Sequence, residues 1–222
     1  VNRRRPTLLA ALTLTATAAL TLSACGSDDS SGKGEGEDKI AGADTGSTTP
    51  SASPSPSQPS AGSRPEITFA SDAKNVFEGG GTGDAKKDAV LKDSSLAVNA
   101  VDEAIFKGST GTKALGYYNA EKALSSSITY VQGYIDDNDT WIGVTRYFNR
   151  KVTFSGEDQA YVTYCSDESK SYIKNKETGK VDRSAATADS YVLYNTKLAK
   201  NTAGVWQTTD IASNRGDKAC QP

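Results

Sequence analysis

At Trp141 the spacing of apolar residues changes, and that change limits the fold of this 222-residue chain more than any other feature. Before it, Val90, Ala97, Val101, Ala104 and Ile105 recur at the spacing of one helix face. After it the period is two. Ile142, Val144, Phe148, Val152 and Phe154 share one parity, and Ala160, Val162 and Tyr164 alternate with Tyr161, Thr163 and Cys165. Helices first and long strands second predict an α+β fold, with N-terminal helices packed on a curved antiparallel sheet of about four strands.

The boundaries follow from local chemistry. After the glycine-rich stretch Gly79–Gly83, Asp84 has the short acceptor side chain of an N-cap, and Gly108 closes the first helix. Lys113 to Ser127 predicts a second helix. Ile128 to Ile135 fits either a strand or a third helix, and Gly133 weakens both. The strands expected are one long segment from Trp141 to Phe154, one through Ala160–Cys165, one over Ser190–Leu198 and one over Val205–Ile211. A polar excursion with a small hairpin at Glu177-Thr178-Gly179-Lys180 separates the second from the third.

Upstream the chain is of another kind. Arg3, Arg4 and Arg5 precede an apolar run from Leu8 to Leu22, shorter than the ~20 residues of a spanning helix. The run ends in Leu22-Ser23-Ala24-Cys25, which resembles the lipobox of bacterial lipoproteins. The resemblance implies a signal peptide over 1–24, diacylglycerol on the Cys25 thiol, and attachment to the outer side of the cell membrane through lipid. An ordinary secretory signal is the competing reading. Residues 25–65 carry the lipidated cysteine and then a Ser/Pro/Gly linker, with Pro54, Pro56 and Pro59 in its second half. So few apolar side chains cannot offset the entropy of ordering, which predicts a disordered tether. The folded domain is expected over 66–222, an ordinary size for one core.

Composition removes several functions. The chain has no histidine, so imidazole bases, Ser-His-Asp hydrolysis and His-containing zinc sites are excluded within it. Charge is close to balanced, with 25 basic and 27 acidic residues, and no basic stripe marks the domain; no nucleic-acid partner is expected. With Cys25 carrying lipid, only Cys165 and Cys220 remain, and outside the cytoplasm such a pair is most simply a disulfide. Ser71-Asp72-Ala73-Lys74 matches the S-x-x-K pattern of penicillin-binding enzymes without its partner motifs. Asp136-Asp137-Asn138-Asp139 lacks the glycine and terminal glutamate of a calcium loop and reads as a solvated turn. No catalytic group, metal-ligand set or cofactor motif is singled out.

Several short motifs together resemble a family. They are Arg146-Tyr147-Phe148, Val162-Thr163-Tyr164-Cys165-Ser166-Asp167, Ser169-Lys170-Ser171-Tyr172, Thr178-Gly179-Lys180 and Gly204-Val205-Trp206, with Cys220 at the tail. In this order, over about residues 84–220, they are similar to small secreted lipoproteins carrying the nuclear transport factor 2-like cone fold. The resemblance implies fold and location more than activity, because that fold hosts ligand binders, isomerases and interaction modules.

Ten tyrosines outnumber five phenylalanines, which suggests rings whose hydroxyls meet water, backbone or ligand. Arg146 shares parity with Ile142, Val144 and Phe148. If that face lines the cone, Arg146, with Tyr118 and Tyr164, forms a ligand pocket; alternatively Arg146 reaches solvent or pairs with Asp167. Trp141 and Trp206 are expected in the core. Two functions stay open: a non-enzymatic binding or interaction module facing a small molecule, the cell wall or a protein, and a small isomerase- or lyase-type enzyme using Asp and Tyr.

Overall fold

A computed structural model describes residues 64–222. The expected signal peptide, Cys25 and the linker up to residue 63 lie outside the described residues. An extended segment leads into strand β1 (Ala73–Phe77), followed by helices α1 (Ala85–Lys107), α2 (Lys113–Tyr118) and α3 (Glu121–Asp136). Strands β2 (Asp139–Phe154), β3 (Gln159–Asn175), β4 (Val181–Asp182), β5 (Tyr191–Lys200) and β6 (Trp206–Arg215) complete the chain. The architecture is α+β, with the helices packed on a curved sheet. No helix among the described residues is long and apolar enough to cross a membrane.

The sheet has six strands rather than about four, in the order β1-β2-β3-β5-β6, with β4 also pairing β3. β1 escapes a period-two reading because it is five residues long, and it pairs with β2 in parallel, Ala73 opposite Gly143 and Phe77 opposite Tyr147. The polar stretch Ser169–Asn175, expected as an excursion, is the second half of β3. It pairs with Asp139–Val144, so the ladder there is set by its partner and not by its own hydropathy.

α1 is capped as its sequence demands. The Asp84 carboxylate accepts from the backbone N–H groups of Lys86 and Lys87, and Gly108 closes the helix at φ 61°. The single helix expected over 113–127 is two helices. At the break, the Ala120 N–H donates to the Thr208 carbonyl on β6 at 2.9 Å instead of to its own helix. The Asn119 amide donates to the carbonyls of Ala97 and Leu115. Ile128–Ile135, left open between strand and helix, is helical as part of α3.

Irregularities in the long strands decide which side chains face inward. In β2, two residues, Asn149 and Arg150, fall between Phe148 opposite Cys165 and Lys151 opposite Thr163. Asn149 adopts φ 52° there. This bulge exchanges the faces. Trp141, Thr145 and Tyr147 point inward before it, and Val152 and Phe154 after it. Ile142, Val144, Phe148, Val152 and Phe154 therefore do not share a face. Similar shifts occur in β3 opposite Thr145 and in β6 at Thr209. Gly143 lies where β2 is flanked on both sides. At φ 98°, a Cβ there would come 2.1 Å from the Lys170 carbonyl oxygen.

The extended lead-in is held by two buried acids of α1. Arg64 forms an ion pair with Asp93, which also accepts from the Trp206 backbone N–H at 2.9 Å. Glu103 accepts from the Thr68 N–H and pairs with Lys107 at 2.7 Å. Trp206 and Trp141 are core residues, 2% and 3% exposed. Cys165 faces away from the helices and is bonded to Cys220, with Cα atoms 5.5 Å apart, so the C-terminal turn Lys218–Cys220 is stapled to the outer face of the sheet.

The disulfide joins residues 55 apart. On the chain-entropy model, replacing both cysteines by serine lowers the unfolding free energy by roughly 4 kcal/mol. Urea unfolding of the oxidised protein and of the double variant measures it; equal midpoints would show that the staple adds nothing.

Candidate functional site

The bulges bend the sheet around α1 and leave a cavity of about 350 Å³ between its concave face and helices α1 and α3. That lies within the usual size range of small-molecule sites. α1 contributes Ser94, Ala97, Val98, Val101 and Asp102, which at this spacing form one stripe of the helix.

The floor is aromatic. Phe77 stacks on Tyr147 with centroids 4.7 Å apart, Tyr147 meets Tyr164 edge-on at 5.9 Å, and Tyr164 stacks on Tyr194 at 5.0 Å. This row runs across β1, β2, β3 and β5, and its three tyrosines border the cavity. Burial pushes all three phenols above their ordinary range, so they stay neutral hydrogen-bonding groups.

Three charged side chains border the cavity: Asp102, Glu168 and Arg215. Arg215 donates to Glu168 at 2.8 Å and to the Asp189 carbonyl at 2.7 Å. Asp102 is held differently. It accepts from the Asn75 amide at 2.6 Å and from the Trp141 indole N–H at 3.0 Å, both neutral donors. Asp102 is half-buried and borders the cavity. Burial pushes its pKa up to about 7, against the two hydrogen bonds that favour the ionised form; the charge of Glu168 adds a smaller upward push. The Asn75 carbonyl oxygen is buried without a partner. The same amide nitrogen also donates to the Asn99 side-chain oxygen at 2.9 Å, so its N–H side is the one turned toward Asp102.

Of the pocket residues expected from sequence, Tyr164 borders this cavity, whereas Tyr118 and Arg146 do not. Arg146 is on the outer face because the Asn149 bulge separates its parity from that of Val152 and Phe154. It pairs with Glu78 at 3.1 Å and Asp167 at 3.5 Å and lies over the Phe148 ring. Tyr118 is 1% exposed and packs with Ala97, Ala100 and Val205. Asp136 ends α3, Asp137 and Asn138 form a turn with Asn138 at φ 53°, and Asp139 begins β2. The sequence reading missed Asp102, Glu168, Arg215 and Tyr194. The signal for Asp102 was present: it directly follows Val101 on the predicted helix and completes the stripe begun by Ser94 and Ala97.

No family model and no curated protein matches the chain. Among solved structures, it is similar to a ketosteroid isomerase-like protein from Erwinia carotovora atroseptica, at 15% identity and TM-score 0.35, over 55% of this chain and 92% of that one. It is also similar to the intermembrane space region of the chloroplast protein ARC6, at 11% identity and TM-score 0.39, over 60% of this chain and 97% of that one. The association domain of CaMKII from C. elegans matches at 14% identity and TM-score 0.34, over 59% of this chain and 99% of that one.

Folded Asp102 keeps its proton up to about pH 7, whereas the unfolded chain releases it near pH 4. The folded state therefore binds the extra proton between those values, and stability falls as pH rises through the window. Asp102→Asn removes this slope. Denaturation at pH 4.5 and pH 8 is expected to show the variant gaining on the wild type at the higher pH; an unchanged difference would contradict the raised pKa.

Proposed function

We propose that this chain is a membrane-anchored extracytoplasmic lipoprotein with a nuclear transport factor 2-like domain that binds a small molecule without transforming it. The observation that carries the binding part is the tyrosine-floored cavity of about 350 Å³. A fold needed only as an outer interaction surface gains nothing from such a space, since interiors otherwise pack densely. The lining combines apolar and aromatic walls with a few hydroxyls and carboxylates, which suits a compact ligand with a mostly apolar body. The anchoring part rests on the lipobox-like Leu22-Ser23-Ala24-Cys25, and the Cys165–Cys220 bond fits an oxidising location.

A second reading, a small isomerase- or lyase-type enzyme, is favoured by one observation. Asp102 titrates near neutrality and shares a cavity with four neutral phenols, and such a pairing suits proton transfer beside an oxyanion donor. The two readings separate on the fate of the ligand. A binder returns it unchanged after prolonged incubation, and an enzyme does not.

Trp141 borders the cavity and reports its occupancy. A neutral naphthalene-type probe is expected to quench its fluorescence, and Val98→Phe, which places a ring in the cavity, is expected to abolish the quenching while the circular dichroism is kept. Quenching that survives this substitution would place the probe elsewhere. For the anchor, Cys25→Ser is expected to move the protein out of the membrane fraction; acylated, membrane-bound variant would remove the lipobox reading.

A further inference from the structure

The charges around the cavity do not balance. Glu168 and Arg215 satisfy each other at 2.8 Å. Asp102 is left as a carboxylate with no cation beside it among the described residues. Both groups that hold it are N–H donors, the Asn75 amide and the Trp141 indole, an arrangement that suits the acceptor-only ionised form. A carboxylate removed from water in this way is favoured once a positive charge is placed against it. The space on its open side is bordered by Trp141 and the tyrosine row, and aromatic walls of this kind accommodate organic cations. A carbonyl ligand would need the opposite state, a protonated Asp102 with its O–H turned away from two N–H donors.

We propose that the cavity takes a ligand with a protonated amine on an apolar body, the ammonium group pairing with Asp102 and the body lying over the floor formed by Tyr147, Tyr164 and Tyr194. This rests on the ligand-binding reading and specifies its chemical class. The stripe of α1 that supplies Asp102 also supplies Val98 and Val101, so charge recognition and apolar contact come from one helix face. Of the other ionisable groups facing this space, Glu168 and Arg215 are paired with each other, burial keeps Tyr147, Tyr164 and Tyr194 neutral well above pH 8, and Tyr130, half exposed, is a phenol that is likewise neutral at pH 8. Asp102, at about 7, is the group whose charge changes between pH 8 and pH 6.

The test is calorimetry on the full-length protein with three matched probes: 4-phenylbutylamine, 4-phenylbutan-1-ol and 4-phenylbutyrate. At pH 8 the amine is expected to bind at least about tenfold more tightly than the alcohol, with the acid weakest. In Asp102→Asn the amine should fall to the level of the alcohol. A pH series on the wild type needs no variant: the advantage of the amine should shrink about tenfold from pH 8 to pH 6, with alcohol binding unchanged, as Asp102 takes up its proton. Alcohol binding as tight as amine binding, or an advantage that does not move with pH, overturns the proposal and leaves the ligand-binding reading standing. Failure of all three probes to bind overturns both.

Discussion

A sixteen-residue strand cannot lie flat along a single helix, and the way β2 escapes that constraint sets the rest of the molecule. Its extra residue at Asn149–Arg150 bends the strand and turns its faces over. The turn directs Arg150 into the helical layer, where its guanidinium donates to the Leu91 carbonyl at 2.6 Å and to the Ser95 hydroxyl at 2.7 Å. This irregularity therefore adds to the curvature of the sheet and, by turning Arg150 inward, fastens α1 to it. Without the bend, the concave face would have no depth to enclose a cavity.

The fold was legible in the sequence where a pattern is local. The caps of α1, the change of period at Trp141 and the pairing of Cys165 with Cys220 each depend on residues close together or on simple counting. The errors come from effects that spacing does not encode. A parallel edge strand of five residues takes its conformation from β2, and the polar end of β3 does the same. The break between α2 and α3 is made by a bond from Ala120 to Thr208, far away in sequence.

The site shows the same division. Tyr164 was found because β3 keeps its alternation from Ala160 to Ser166. For Arg146 parity left two places open, the cone wall or an outward pairing with Asp167, and the structure has the second; a bulge cannot be read from parity alone, because a residue count treats Asn149 like any other. Asp102 was overlooked for a different reason. On a helix an acid normally marks the solvated side, and here Asp102 marks a cavity because Asn75 and Trp141, from two separate strands, close around it. Tertiary structure, not sequence, turns an ordinary aspartate into one that titrates near neutrality.

The bond between Ala120 and Thr208 has a bearing on self-association. A sheet ends in rows of unused backbone groups, and another chain can add a strand there. On the β6 side the α2–α3 junction already occupies part of that row, with Asn119 bridged to Thr208. Asn119 and Thr208 also border the cavity. An intruding strand would have to lift the junction away and open the cavity as it did so. The same junction thus walls the cavity and covers part of the sheet margin at once.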